Sequence, residues 1–173
     1  EFLTQPNEFY FDSINRKVYV WLPLGDSPAN YIMTGSVYDY GVNINNKDYL
    51  VFNGISFKNQ ATDGAYLNSS EHVTFENCDF INPAINGIET DNYSHYLTVK
   101  YCYLFGASNS NIYAINSDNS LIQENTMLNC GLIRNYTLNI NLTNTSPGQN
   151  LYVNYSDGTD IYYNKIINSG YSE

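Results

Sequence analysis

Between Gly41 and Asn168 the chain writes one motif five times. The copies are VNINNKDYLVFNGISFKN, AYLNSSEHVTFENCDFIN, IETDNYSHYLTVKYCYLFG, IYAINSDNSLIQENTMLN and LYVNYSDGTDIYYNKIIN. Aligned, they place Phe52, Phe75, Val99, Ile122 and Ile161 in one column, at spacings of 23, 24, 23 and 39 residues. A recurring period of this size is the mark of a solenoid, in which each repeat buries its apolar face only by stacking on its neighbours.

Each copy holds three short β-runs and no helical period. In the first run the inward pairs are Val42/Ile44, Ala65/Leu67, Ile88/Thr90, Ile112/Ala114 and Leu151/Val153. Strand alternation turns the residue between each pair outward. Those outward residues are Asn43, Tyr66, Glu89, Tyr113 and Tyr152. The second run passes through the Phe52 column, and the third through Phe57, Phe80, Leu104, Met127 and Ile166. Asn59, Asn82, Asn129 and Asn168 close the third run, with Gly106 in the remaining copy. Stacked coils put like residues on like at about 4.8 Å. A sandwich of hairpins would not require that register. The expected fold is therefore all-β: a parallel β-helix of about five coils of ~23 residues, preceded by an N-terminal cap segment.

The bend between the second and third runs carries Ile55, Cys78, Cys102, Asn125 and Asn164. Asparagine there can satisfy backbone groups buried by a tight turn. The two cysteines in the column read as buried thiols rather than a metal pair or a disulfide, and Cys130 reads as structural.

Composition excludes several classes. Aromatics make up 16% and charged residues 14%, so the chain is not a disordered one. Seven Lys plus Arg against seventeen Asp plus Glu give a net charge of −10, which argues against nucleic acid and against an anionic membrane surface. No apolar run approaches the ~20 residues of a membrane span. The first residues, EFLTQPNEFYF, lack the pattern of a signal peptide, which is absent or already removed. Six Asn-x-Ser/Thr sequons, at Asn68, Asn92, Asn135, Asn141, Asn144 and Asn154, are read as chance in a chain rich in those residues.

Along the chain, residues 1–40 read as the cap. Residues 8–22 suggest two strands around a polar turn at 13–17, and 31–40 suggest a further β-run. Residues 41–173 carry the coils in one continuous domain. The 39-residue interval contains an insertion at about 130–150, and loops grafted on a rigid scaffold often carry function. INSGYSE stops where another first run should begin. The expectation is a piece of a longer helix, or ends covered by a homo-oligomer, end to end or side by side.

The repeats GAYLNSSEHVTFENCDFIN and NSDNSLIQENTMLN, with their Asn-containing bend, resemble right-handed parallel β-helix proteins of the pectate-lyase-like superfamily. The lead-in EFYFDSINRKVYVWLP, followed by GVNINNKDYLVFNGISFKN, is similar to bacterial secreted members that act on polysaccharides. The resemblance covers nearly the whole chain. It implies an extracellular or cell-surface protein with a polysaccharide groove along the outward face of the first sheet.

On that face, Tyr66, Tyr113 and Tyr152 offer amphipathic rings to sugar, with Tyr136 in the insertion. Glu89, Asp91, His95 and Arg134 are the candidate catalytic residues: carboxylates for acid–base work, a base, and a cation for an acidic sugar. Glu89 and Asp91 are alternatively calcium ligands, and no other cofactor is expected. Asp63 and Asp157 are the further carboxylates a calcium-dependent lyase would draw on.

Family signatures of activity are missing. Asn86-Gly87-Ile88-Glu89 and Asn111-Ile112-Tyr113-Ala114 fall where polygalacturonases carry paired aspartates, but Ser110 and Asn111 replace the Asp-Asp and no Gly-His-Gly follows. The Asp-Pro-His of alginate epimerases is also missing. Two readings stand: a polysaccharide lyase or glycoside hydrolase segment, and a non-catalytic surface, adhesion or carbohydrate-binding module.

Overall fold

The computed structural model describes residues 3–6, 8–131 and 148–169. They fall into two compact units, divided between Thr34 and Gly35. In the first unit, β1 (Phe9–Asp12) and β2 (Lys17–Val20) form an antiparallel hairpin. Its turn is held by Asp12, whose Oδ1 accepts the N–H groups of Ile14 and Asn15, both at 3.0 Å. A 3-10 turn follows at Pro28–Asn30, where Ser27 Oγ accepts the Ala29 N–H at 3.3 Å.

The second unit carries the coils. Coil 1 holds β3 (Val42–Asn45), β4 (Val51–Asn53) and β5 (Ser56–Lys58). Coil 2 holds β6 (Ala65–Asn68), β7 (Thr74–Glu76) and β8 (Asp79–Ile81). Coil 3 holds β9 (Asn86–Asp91), β10 (Thr98–Lys100) and β11 (Tyr103–Phe105). Coil 4 holds β12 (Ser110–Ile115), β13 (Leu121–Gln123) and β14 (Thr126–Cys130). Coil 5 holds β15 (Gln149–Asn154), β16 (Asp160–Tyr162) and β17 (Lys165–Ser169). Like strands pair in parallel to give three five-stranded sheets: β3-β6-β9-β12-β15, β4-β7-β10-β13-β16 and β5-β8-β11-β14-β17. The registers reproduce the sequence columns, with Phe52 on Phe75, Val99, Ile122 and Ile161.

Residues 31–40 form no strand, contrary to the sequence reading. The carbonyls of Tyr38 and Asp39 accept the N–H groups of Ala61 and Thr62, at 3.0 and 2.9 Å. Those partners belong to a turn of coil 1, so no straight ladder forms.

The core is a set of stacks along the axis. Phe52 stacks on Phe75 and Phe57 on Phe80, each pair at 5.0 Å between ring centroids, and Phe75 meets Phe80 edge-on at 5.5 Å. Above them the columns continue with the buried Val99, Leu104, Ile122 and Met127. One column admits no side chain in the lower coils. A Cβ on Gly64 would lie 2.5 Å from the Phe80 ring and 2.6 Å from the Gly87 carbonyl oxygen, and one on Gly87 would collide with the Asn111 carbonyl oxygen. Asn111 and Asn150 take over this column above, joined by a hydrogen bond of 2.5 Å.

The corners are left-handed. The residues closing the third run, Asn59, Asn82, Gly106, Asn129 and Asn168, have φ of 57, 51, 76, 54 and 54°. Glycine and asparagine tolerate that conformation best, which is why the column is Asn and Gly. A second corner, after the first sheet, uses Tyr49, His72, Tyr96, Asn119 and Gly158, at φ of 58, 54, 56, 54 and 65°.

Two polar ladders line the interior of the turns. In the bend column, Asn125 Oδ1 accepts the Cys102 N–H at 2.8 Å, and Asn125 Nδ2 donates to Val99 O at 2.8 Å. Cys78 and Cys102 occupy the same column as free, buried thiols, and burial pushes the Cys102 thiol up to about 12. In the turn after the first sheet, serine hydroxyls cap the coil before them. Ser70 Oγ accepts from Lys47 N, Ser94 Oγ from Ser70 N, and Ser156 Oγ from Ser117 N, at 3.0–3.2 Å. Ser70, Ser94 and Ser156 are the third residues of the sequons at Asn68, Asn92 and Asn154. The recurring element is the inward serine; the asparagines before it differ in place, since Asn68 is in register with Asp91 rather than with Asn92.

Candidate functional site

The outward column of the first sheet runs Asn43, Tyr66, Glu89, Tyr113, Tyr152, each residue in direct register with the next. Spacing of about 4.8 Å between strands brings adjacent rings into contact. Tyr113 and Tyr152 stack at 4.8 Å with planes 12° apart. Tyr66 stacks on Tyr40, at 5.3 Å and 29°. Glu89 thus stands in the column between Tyr66, which is backed by Tyr40 from outside the column, and the Tyr113–Tyr152 pair. Each of these rings gives one face to another tyrosine.

Glu89 belongs to a polar cluster that reaches into the wall of the helix. Asp63 is 3% exposed, and its Oδ1 accepts the Asn86 N–H at 2.9 Å. Asn86 Nδ2 donates to Glu89 Oε2 at 2.7 Å. The carboxyls of Asp63 and Glu89 are near enough to feel each other's charge, both being held by Asn86. Burial and then the charge of Glu89 push Asp63 up to about 7. Glu89 is raised as well, by burial first and by the Asp91 charge, against the opposing pull of the Asn86 amide. Two carboxyls this close cannot both ionise cheaply, so the pair holds a proton into the neutral range. Asp91, on the same face of β9, accepts the Tyr66 hydroxyl at 3.1 Å. Burial and the Asp91 charge push that phenol up to about 12.

The structure therefore joins Glu89, Asp91 and Tyr66 in one cluster. It places His95 elsewhere. His95 Nδ1 accepts the Asp118 N–H at 3.0 Å and lies 3.6 Å from Asp118 Oδ2, in the turn after the first sheet. A nitrogen that accepts a main-chain N–H carries no proton in that contact, so the ring's other nitrogen holds it. The neighbouring His72 is sandwiched between Tyr49 and Tyr96, at 4.6 and 4.4 Å. Arg134 and Tyr136 lie outside the described residues, as does most of the insertion. Among the described residues no group of three or more His, Cys, Asp or Glu is placed to hold a metal ion. A hollow of about 600 Å³ lies at coil 1, lined by Gly35, Val37, Tyr38, Ile55 and Phe57, and Glu89 is not part of its lining.

Sequence reasoning gave Asp63 a minor place and Asn86 and Tyr40 none. A signal was present. Asp63 and Asn86 stand two residues before the inward Ala65 and Ile88, so alternation puts a carboxylate and an amide in the inward phase. A polar column in that phase must find partners in the wall.

Comparison with protein families adds one result. The family described as the right handed beta helix region matches residues 39–172, so the chain belongs to that family. The match supplies the hand of the coils and agrees with the parallel register of all three sheets. No curated protein and no solved structure matched the chain. Among the described residues, no helix is long and apolar enough to cross a membrane.

Proposed function

We propose that the chain is an extracellular polysaccharide-active β-helix that holds its substrate along the outward face of the first sheet. In this reading Glu89 gives or takes the proton at the glycosidic linkage. The observation that carries the reading is the carboxyl pair of Asp63 and Glu89, set where the tyrosine column is interrupted. A general acid must keep its proton near the working pH, and burial beside a second carboxyl does this. Asp91 is the second carboxylate of the face, and two carboxylates in different environments are what glycoside hydrolysis divides between acid and base or nucleophile. Of the two chemistries, the pair favours hydrolysis over elimination.

A non-catalytic binding module is the second reading. It is favoured by the mutual stacking of Tyr40 with Tyr66 and of Tyr113 with Tyr152, which sets two fixed aromatic pairs along one face for a polymer to meet. The deciding experiment incubates the protein with a panel of neutral and acidic polysaccharides, with calcium and with a chelator. Both new reducing ends and the unsaturated product of a lyase are scored. Cleavage that disappears in Glu89→Gln supports the enzyme. Retention on a polymer without cleavage supports the module, and neither outcome on any polymer removes both.

A further inference from the structure

Asn86 is 2% exposed at the start of β9, and every polar atom of its side chain is used. Its Oδ1 accepts two N–H groups from the next coil: Asn109 Nδ2 at 2.8 Å and the Ser110 main chain at 3.1 Å. The Ser110 main-chain N–H decides which way the amide points, since the opposite orientation would set an NH2 group against it. With Oδ1 turned to coil 4, Nδ2 faces Glu89 Oε2 at 2.7 Å. The main-chain N–H of the same residue meets Asp63 Oδ1 at 2.9 Å. One residue thus grips both carboxyls, and its own orientation is set by a coil that contributes neither.

We propose that Asn86 is the positioning residue of this site, an amide locked by coil 4 that holds the Glu89 carboxyl in a single orientation facing the groove. The consequence for turnover rests on the polysaccharide reading above, whereas the geometry does not. A glutamate on an exposed sheet face samples several rotamers. Held at one oxygen by a donor that cannot turn, it presents its other oxygen in a set direction, which is what proton transfer to a bound linkage requires.

Two measurements test this. In the side-chain amide region of a 15N–1H spectrum, the Asn86 signals are assigned by their loss in Asn86→Asp. They are expected to move in Glu89→Ala and to stay in place in Asp91→Ala. Asn86 signals indifferent to Glu89→Ala overturn the proposal. Ionised, Asn86→Asp keeps the shape and still accepts from Asn109 and Ser110, but it replaces the donor to Glu89 with a like charge. On a polysaccharide that the wild type cleaves, this variant is expected to lose on the order of 100-fold in kcat, with KM within about twofold. Wild-type kcat in Asn86→Asp overturns the proposal. If no polysaccharide in the panel is cleaved, the functional reading fails and the amide spectrum alone decides the role of Asn86.

Discussion

The main-chain N–H of Asn86 donates to the buried carboxyl of Asp63 in the coil below, at 2.9 Å. That contact fixes where Asp63 points, and what it faces is the Glu89 carboxyl rather than a cation. A buried acid with an acid for a neighbour makes the protein's stability respond to pH.

The sign follows from the direction of the shift. Asp63 ionises at about 7 in the folded chain against an ordinary value of 3.8. A carboxyl whose folded value is raised stabilises the fold fully below the ordinary value, and that stability is lost as pH rises through the folded one. Urea denaturation from pH 4 to pH 8 should show stability falling across this window, by no more than about 1.4 kcal/mol per pH unit. Asp63→Asn mimics the protonated carboxyl and should flatten the slope. An equal slope in the variant would assign it to another group.

Glu89→Gln tests the same pair from the outer side. It removes the charge that Asp63 opposes and leaves an amide in the same space. We expect a midpoint of thermal unfolding at neutral pH equal to or above that of the wild type. Cleavage, where the panel finds it, should drop by at least about 100-fold. A large loss of stability would show that Glu89 is chiefly a structural residue.

Asn125 should matter to the fold far more than a polar residue in a turn normally does. Its side chain satisfies Cys102 N, Val99 O and Asn164 Oδ1 at once. Asn125→Ala strands these buried groups and should cost about 3 kcal/mol in urea denaturation. Asn125→Cys repeats the residue that the column uses at Cys78 and Cys102, and should cost less.

Gly87→Ala adds a single methyl group where the Asn111 carbonyl oxygen of the next coil already lies. No rotamer relieves a clash between a Cβ and a backbone, so the coils must part. Loss of cooperative unfolding, or a drop of several kcal/mol, is expected. Gly35→Ala is the control, because a Cβ there meets nothing within 4 Å.

Most of the fold was legible because a solenoid repeats its environment. Phe52, Phe75, Val99, Ile122 and Ile161 occupy equivalent surroundings, so a simple alignment of copies finds the register. Corners were legible only where Asn or Gly filled them. Tyr101, Glu124 and Tyr163 also adopt φ of 57, 53 and 58°, and no local preference announces these residues as left-handed. There the pull of the stacked coils overrides the local conformational cost. The outward column was read correctly, residue by residue. The contacts its members make were not legible, because ring stacking and carboxyl pairing depend on distances between coils. A list of outward residues does not show that Tyr66 leans on Tyr40 and Asp91, or that Glu89 is gripped from behind by Asn86.

The period also says something about the order of events during synthesis. Register partners in coils 1 to 4 are 23 or 24 residues apart, so each coil, once emerged, finds a finished template directly beneath it. Tyr152 meets Tyr113 only after 39 residues. The extra chain adds about 0.5 kcal/mol of loop-closure entropy, too little to hold the last coil back for long. Assembly can therefore run from the amino-terminal side like a zip, and the wall of the Glu89 cluster is complete only when coil 4 delivers Asn109 and Ser110 to Asn86.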